Sequence, residues 1–287
     1  MTSDATLLMG AVAYDPKVVT IWQGFRRWFL AQGLPFDFVL YSNYERQVED
    51  LVEGRIAAAW NSPLAFLRTQ RLAAERGRSV RSSVMRDTDQ DLTSVVVARA
   101  DSGFTSLADL QGRAVAVGAV DSPQATLIPL SHLRAGGLHL GQDLDVQRFD
   151  VGVGLHGDHI GGERDAARAL MAGEVEAACM IDGNHLLFAQ EGTLPAGATV
   201  VLSQTAPYDH CNMTLVDTAP AELADRFVAL LLSMSYEDPQ LRPLLDLEGL
   251  QVWRAGRDSG YSLLDGAVDE TGFYDAQGRV TAAEYAP

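Results

Sequence analysis

Between Val151 and Glu163 the chain reads Val-Gly-Val-Gly-Leu-His-Gly-Asp-His-Ile-Gly-Gly-Glu, which places His156, Asp158, His159 and Glu163 within eight residues. Imidazole and carboxylate are the donors of divalent-ion sites, and a glycine-rich loop can wrap closely round an ion. The two histidines, spaced three apart, could equally donate hydrogen bonds to an anion. Cys179 and Cys211 complete the soft-donor inventory. Each reads either as a further ligand or as a buried thiol behaving as a small hydrophobe. No motif specifies a cofactor; these donors would take a divalent ion such as Zn, Fe, Ni or Mn. There is no Ser-His-Asp order, nucleotide-binding glycine loop or paired CxxC motif to define a reaction.

Strands alternating with helices must position these groups. Leu7–Ala13, Phe36–Tyr41 and Ile56–Trp60 read as strands. Between the first two, Ile21, Trp22, Phe25, Trp28 and Phe29 recur on one helical face as core. Ser62 can cap the next helix while Pro63 takes its first position, where no N–H is missed. Tyr14 and Asn61 then fall on loops at the carboxyl ends of strands, where ligands of α/β sheets favour binding. Tyr44 and Trp60 stand close by, either packing or adding aromatic walls with hydrogen-bonding edges. Further strands are expected at Thr93–Ala98, Ala114–Gly118, Asp145–Val151, Val175–Met180 and Met213–Val216, with helices between.

The 287 residues are 47% apolar and 21% charged, enough for a large core, and the formal charge is −16. That balance argues against a nucleic-acid partner, whose backbone demands clustered Lys and Arg. The Arg68–Arg81 stretch reads as the solvated face and exit of a helix. No apolar run reaches the roughly 20 residues of a membrane span, so no membrane insertion is expected. The opening Met-Thr-Ser-Asp lacks the pattern of a secretory leader. As written the chain is expected in the cytoplasm, and in the periplasm or outside the cell if a leader has been removed.

Several segments together resemble the phosphonate- and phosphite-binding proteins of bacterial ABC importers. They are Ser42-Asn-Tyr-Glu, Ala57 to Phe66, Thr93 to Ser102, Ser106-Leu-Ala-Asp-Leu-Gln-Gly-Arg113, Leu127-Ile-Pro-Leu and Gly256-Arg-Asp-Ser-Gly-Tyr261. The resemblance implies an α/β fold of the two-lobed type 2 periplasmic-binding kind. Residues 1–98 with 205–287 would form one lobe and 99–204 the other, joined by hinge segments near Arg99 and Ser203. It also implies an anion loop at Asp121-Ser-Pro-Gln-Ala-Thr126, where Ser122, Gln124 and Thr126 offer hydroxyl and amide groups at a helix start. Pro123 removes one N–H there and the family's glycine is absent, so a carboxylate or neutral ligand would need fewer donors than a phosphonate. In this topology Asp182 and His185 end a strand at the cleft, and His210 and Cys211 lie on the return crossing.

Two functions follow. The first is a module that captures a small polar or anionic molecule by lobe closure, with an ABC importer permease as partner if exported. The second is a cytosolic metal-dependent enzyme or sensor in the same cleft, with His156 and His159 on the metal and His210 or Asp182 as acid or base.

Overall fold

The structure, a computed structural model, describes residues 6–150 and 159–285. In chain order the elements are β1 (Leu7–Val12), α1 (Lys17–Ala31), β2 (Phe36–Tyr41), α2 (Tyr44–Val52), β3 (Ala58–Asn61), α3 (Pro63–Glu75) and β4 (Val80–Arg86). There follow β5 (Ser94–Arg99), β6 (Arg113–Val117), α4 (Ile128–Ala135), β7 (Leu144–Arg148), α5 (Ile160–Ala172), β8 (Ala177–Ile181), α6 (Asp182–Glu191) and β9 (Thr199–Gln204). The last third holds β10 (Asn212–Val216), α7 (Ala221–Ser233), α8 (Arg242–Glu248), β11 (Trp253–Ala255) and α9 (Ser262–Thr271).

Local chemistry accounts for the helix starts nearest the site. Asn43 is extended and its side chain accepts from Arg46 N, opening α2. Ser62 accepts from Ala65 N with Pro63 at the first helical position, as its sequence demands. The α1 stripe Ile21, Trp22, Phe25 and Phe29 is fully buried against β1, β10 and α7 in the largest apolar core.

The strands form two sheets, ordered β11-β4-β10-β3-β1-β2 and β7-β6-β8-β5-β9. In the first, β1 pairs in parallel with β2 and β3, and β10 runs antiparallel between β3 and β4. Asn212 stands opposite Asn61, so the start of β10 lies beside the carboxyl end of β3. In the second, β6 is parallel to β7 and β8, while β5 is antiparallel to β8 and β9. Ser94 stands opposite Ile181, so the start of β5 lies at the carboxyl end of β8.

The chain passes between the sheets twice, through residues 87–93 and 205–211. The two passages pair through reciprocal hydrogen bonds of 2.8 Å between Leu92 and Tyr208. Ser94–Ala98, expected with residues 1–98, therefore belongs to the second sheet, because β5 finds both its partners there. The crossings precede Ser94 and follow Gln204. Arg257 pins both passages, donating to Asp209 at 2.6 Å twice and to Asp91 at 2.6 Å. Asp91 sits at φ 59°, a left-handed conformation, with its N–H on Asp209. Gly260 packs so closely on Asp209 that an added Cβ would fall 2.1 Å from its carboxylate.

A second apolar cluster spans the sheets. Phe66 and Leu67 of α3 meet Leu127 and Ile128 before and in α4, with Leu264, Phe273 and Tyr285 of the C-terminal segment between them. Tyr285 donates to Glu45 at 2.8 Å, and Glu284 pairs with Arg148 of β7.

Candidate functional site

The carboxyl edges of the two sheets face each other across the paired crossings. On the first edge stand Tyr14 after β1, Tyr44 at the start of α2, Trp60 in β3, Arg86 at the end of β4, and His210 and Cys211 before β10. Arg86 organises them. Its guanidinium grips both oxygens of Asp89, at 2.5 and 2.9 Å, donates to the Glu248 carbonyl at 2.8 Å, and lies 5.4 Å over the Trp60 ring. Trp60 in turn stands edge-on to Trp253. His210 Nδ1 is 3.5 Å from Asp89 Oδ1 and 3.2 Å from Cys211 Sγ.

The electrostatics follow from this packing. Burial would raise the Asp89 carboxyl, but the adjacent Arg86 cation and His210 outweigh it and hold Asp89 at about 2. Burial likewise opposes a charge on His210, yet Cys211 and Asp89 push the ring up to about 10. Glu248 is pushed up to about 7 by burial, against the pull of Arg86.

The second edge is chemically different. Glu163, on the first turn of α5 and wholly buried, accepts from Gln124 Nε2 at 3.2 Å, from Asn184 Nδ2 at 2.9 Å and from Ile181 N at 3.0 Å. Burial raises it to about 7 in spite of these donors and of the His210 charge, which reaches it from the opposite edge. Asp182 accepts from Thr93 at 2.8 Å and from Gly183 N at 2.7 Å, and Gln204 donates to Thr93 at 2.7 Å.

The structure sorts the residues expected from sequence. Tyr14 is 38% exposed at the cleft edge, with Lys17 Nζ 6.0 Å from its ring centroid. Tyr44 and Trp60 are buried walls. Asn61 is fully buried and its amide is committed to Gln47, Thr69 and Thr214, a packing network that explains why a polar residue tolerates a core strand. His185 hydrogen-bonds Thr199 of the edge strand β9 at 3.0 Å, away from the convergence expected of it.

At the expected anion loop, Ser122 and Thr126 are buried and three backbone N–H groups are consumed internally, while Thr126 Oγ1 has no hydrogen-bond partner among the described residues. Ala125 N bonds Ser122 Oγ, while Thr126 N and Leu127 N both bond the Ser122 carbonyl, since Pro123–Leu127 wind into a π-helical turn. Cys179 lies in the apolar core of the second sheet, where burial pushes its thiol up to about 12, and it does not meet Cys211. His159 is buried at the start of α5, its carbonyl accepting from Glu163 N. His156 and Asp158 lie outside the described residues. Sequence reading missed Arg86, Asp89, Glu248 and Asn184; Arg86 and Asp89, three apart at the end of a strand also missed, were the available signal.

The family model for ABC-transporter phosphonate periplasmic substrate-binding proteins matches residues 11–261. No curated protein matches the sequence. Among solved structures, PhnD1 from Prochlorococcus marinus in complex with methylphosphonate is 13% identical, with a TM-score of 0.63 over 93% of this chain and 98% of its own. A Xanthomonas citri protein bound to ATP is 15% identical, with a TM-score of 0.67 and the same coverage of 93% and 98%. The periplasmic aliphatic sulphonate binding protein SsuA from Escherichia coli is 15% identical, with a TM-score of 0.54 over 93% and 84%. These neighbours share the two-lobed fold, and since the family model spans most of the sequence, this chain belongs to the phosphonate periplasmic substrate-binding proteins of ABC transporters.

Proposed function

We propose that this solute-binding module captures a small polar ligand carrying at most one negative charge, held between the Tyr14–Trp60–His210 edge and the Glu163–Asn184 edge. The observation that carries the reading is the state of the family's anion loop. The N–H groups of Ala125, Thr126 and Leu127 are spent within the π-helical turn, Pro123 brings none, and a buried acid, Glu163, stands beside it. A dianionic tetrahedral headgroup would meet too few donors and a carboxylate that burial already disfavours charging. A carboxylate or zwitterion needs fewer donors and tolerates an acid opposite.

Closure would bring the two edges together about the crossings 87–93 and 205–211, which we take as the hinge. The family is periplasmic, and among the described residues no helix is long and apolar enough to cross a membrane. An ABC permease, meeting the closed form in the periplasm, is the partner this reading assigns.

Titration calorimetry with methylphosphonate, ethanesulfonate, propionate and β-alanine at pH 7 tests the ligand class. We expect propionate or β-alanine to bind at least about tenfold more tightly than methylphosphonate, a difference of about 1.4 kcal/mol. Methylphosphonate as the tightest of the four would overturn the assignment.

A further inference from the structure

We propose that Asp89, His210 and Cys211 form a three-donor site for a borderline divalent cation such as Zn(II), with its fourth position open to the ligand cleft. One ligand atom from each residue can be chosen so that all lie within 4.8 Å of one another. The Sγ–Nδ1 and Nδ1–Oδ1 separations are 3.2 and 3.5 Å. A tetrahedral ion with bonds of about 2.0 to 2.3 Å holds neighbouring donor atoms roughly 3.3 to 3.6 Å apart, so the ion needs only small side-chain shifts to enter.

The donor types select the ion. Sulfur, imidazole nitrogen and one carboxylate suit Zn(II) and its neighbours and do not suit Mg(II) or Ca(II), which demand oxygen shells. The surroundings also hold the donors in place. Arg86 fixes both Asp89 oxygens from one side, leaving their remaining lone pairs for the ion. The His210 backbone is tied on both flanks: its N–H donates to the Asp89 carbonyl at 2.8 Å, and its carbonyl accepts from Tyr261 at 2.8 Å. Charge closes as well, because thiolate and carboxylate neutralise a dication while Glu248, 3.6 Å from Arg86, faces that guanidinium.

Three protein donors leave one coordination position, the arrangement of exchangeable rather than closed sites. The site lies on the edge that faces Glu163, so an anionic group of the captured solute would fill that position. This last step rests on the proposed ligand cleft; metal binding itself does not.

The test uses the full chain, stripped with chelator and titrated with Co(II). A thiolate-to-Co(II) charge-transfer band saturating at one ion per chain is expected, displaced by Zn(II), abolished in Cys211→Ser and retained in Cys179→Ala. The band should also persist in His156→Ala/His159→Ala, which separates this site from the histidine-rich loop. Circular dichroism checks that each variant is folded. No band in the wild-type chain, or a band that survives Cys211→Ser, overturns the proposal. Solute binding by the metal-free chain, read separately by calorimetry, would leave the solute-binding reading standing whichever way the metal test falls.

Discussion

The two edges that face each other solve the burial of charge in opposite ways. On the first, charges are kept and paired: Arg86 holds Asp89 by two hydrogen bonds, and His210 stands between Asp89 and Cys211. On the second, Glu163 has amide and backbone donors but, among the described residues, no cation in contact, and burial moves it toward the neutral acid. Pairing makes the first edge sensitive to losing a partner. Solitary burial makes the second sensitive to pH. A ligand held as the proposed function has it would meet fixed charge on one side and a titratable acid on the other.

Breaking the pairing should give the largest effect. Arg86→Ala leaves the Asp89 carboxylate, 2% exposed, without its guanidinium. Removing one partner of a buried ion pair costs about 3 to 5 kcal/mol, and His210, 3.5 Å from Asp89, keeps the loss to the lower end of that range. Urea unfolding at pH 7 measures it, and Arg86→Met with Asp89→Leu should recover most of the loss because neither charge then remains. A loss under about 1 kcal/mol in the single variant would mean that Asp89 is not held by the pair.

Removing the solitary charge should have the opposite sign. Because burial raises Glu163 from 4.5 to about 7, the folded chain binds its proton more tightly than the unfolded one between those values. Stability therefore falls as pH rises through that window, and above it the penalty is complete, about 3 kcal/mol at ~1.4 kcal/mol per unit. Glu163→Gln has no charge to lose, and Gln124 can rotate its amide so that its unpartnered Oε1 accepts from the new side chain. The variant should be more stable than wild type at pH 8 by up to that amount and no more stable at pH 4. Equal stability of the two proteins at pH 8 would show that Glu163 is comfortably ionised.

Much of this fold was legible because its signals are local. The α1 stripe, the Ser62-Pro63 helix start and the β-branched run in β5 each declare their structure within a few residues. The β4 strand does not: Val80-Arg-Ser-Ser-Val-Met-Arg86 looks polar, and only the fold shows that Ser83 Oγ is buried donating to Met213 O while Ser82 N donates to Asp258. With β4 hidden, Arg86 and Asp89 could not be placed at the cleft. The expected ligand role of Asn61 failed for a related reason. A buried amide reads the same in sequence whether its partners are a solute or Gln47, Thr69 and Thr214. His210 and Cys211 were found because a family topology, not any periodicity, put them on a crossing.

The smallest effect on stability is expected at Tyr14, which the proposed function places against the solute. Tyr14 is 38% exposed and beyond the end of β1, so Tyr14→Ala should change unfolding free energy by no more than about 0.5 kcal/mol. Its ring still walls the first edge, and truncating an aromatic contact of this size should weaken solute binding by about 1 to 3 kcal/mol, the range for burying one large apolar side chain. Trp60→Phe makes the contrast, since that ring is packed between Arg86 and Trp253 and its loss should register in stability first. If instead Tyr14→Ala unfolds as readily as Trp60→Phe while binding its solute unchanged, the aromatic wall belongs to the core and the ligand lies deeper, against His210.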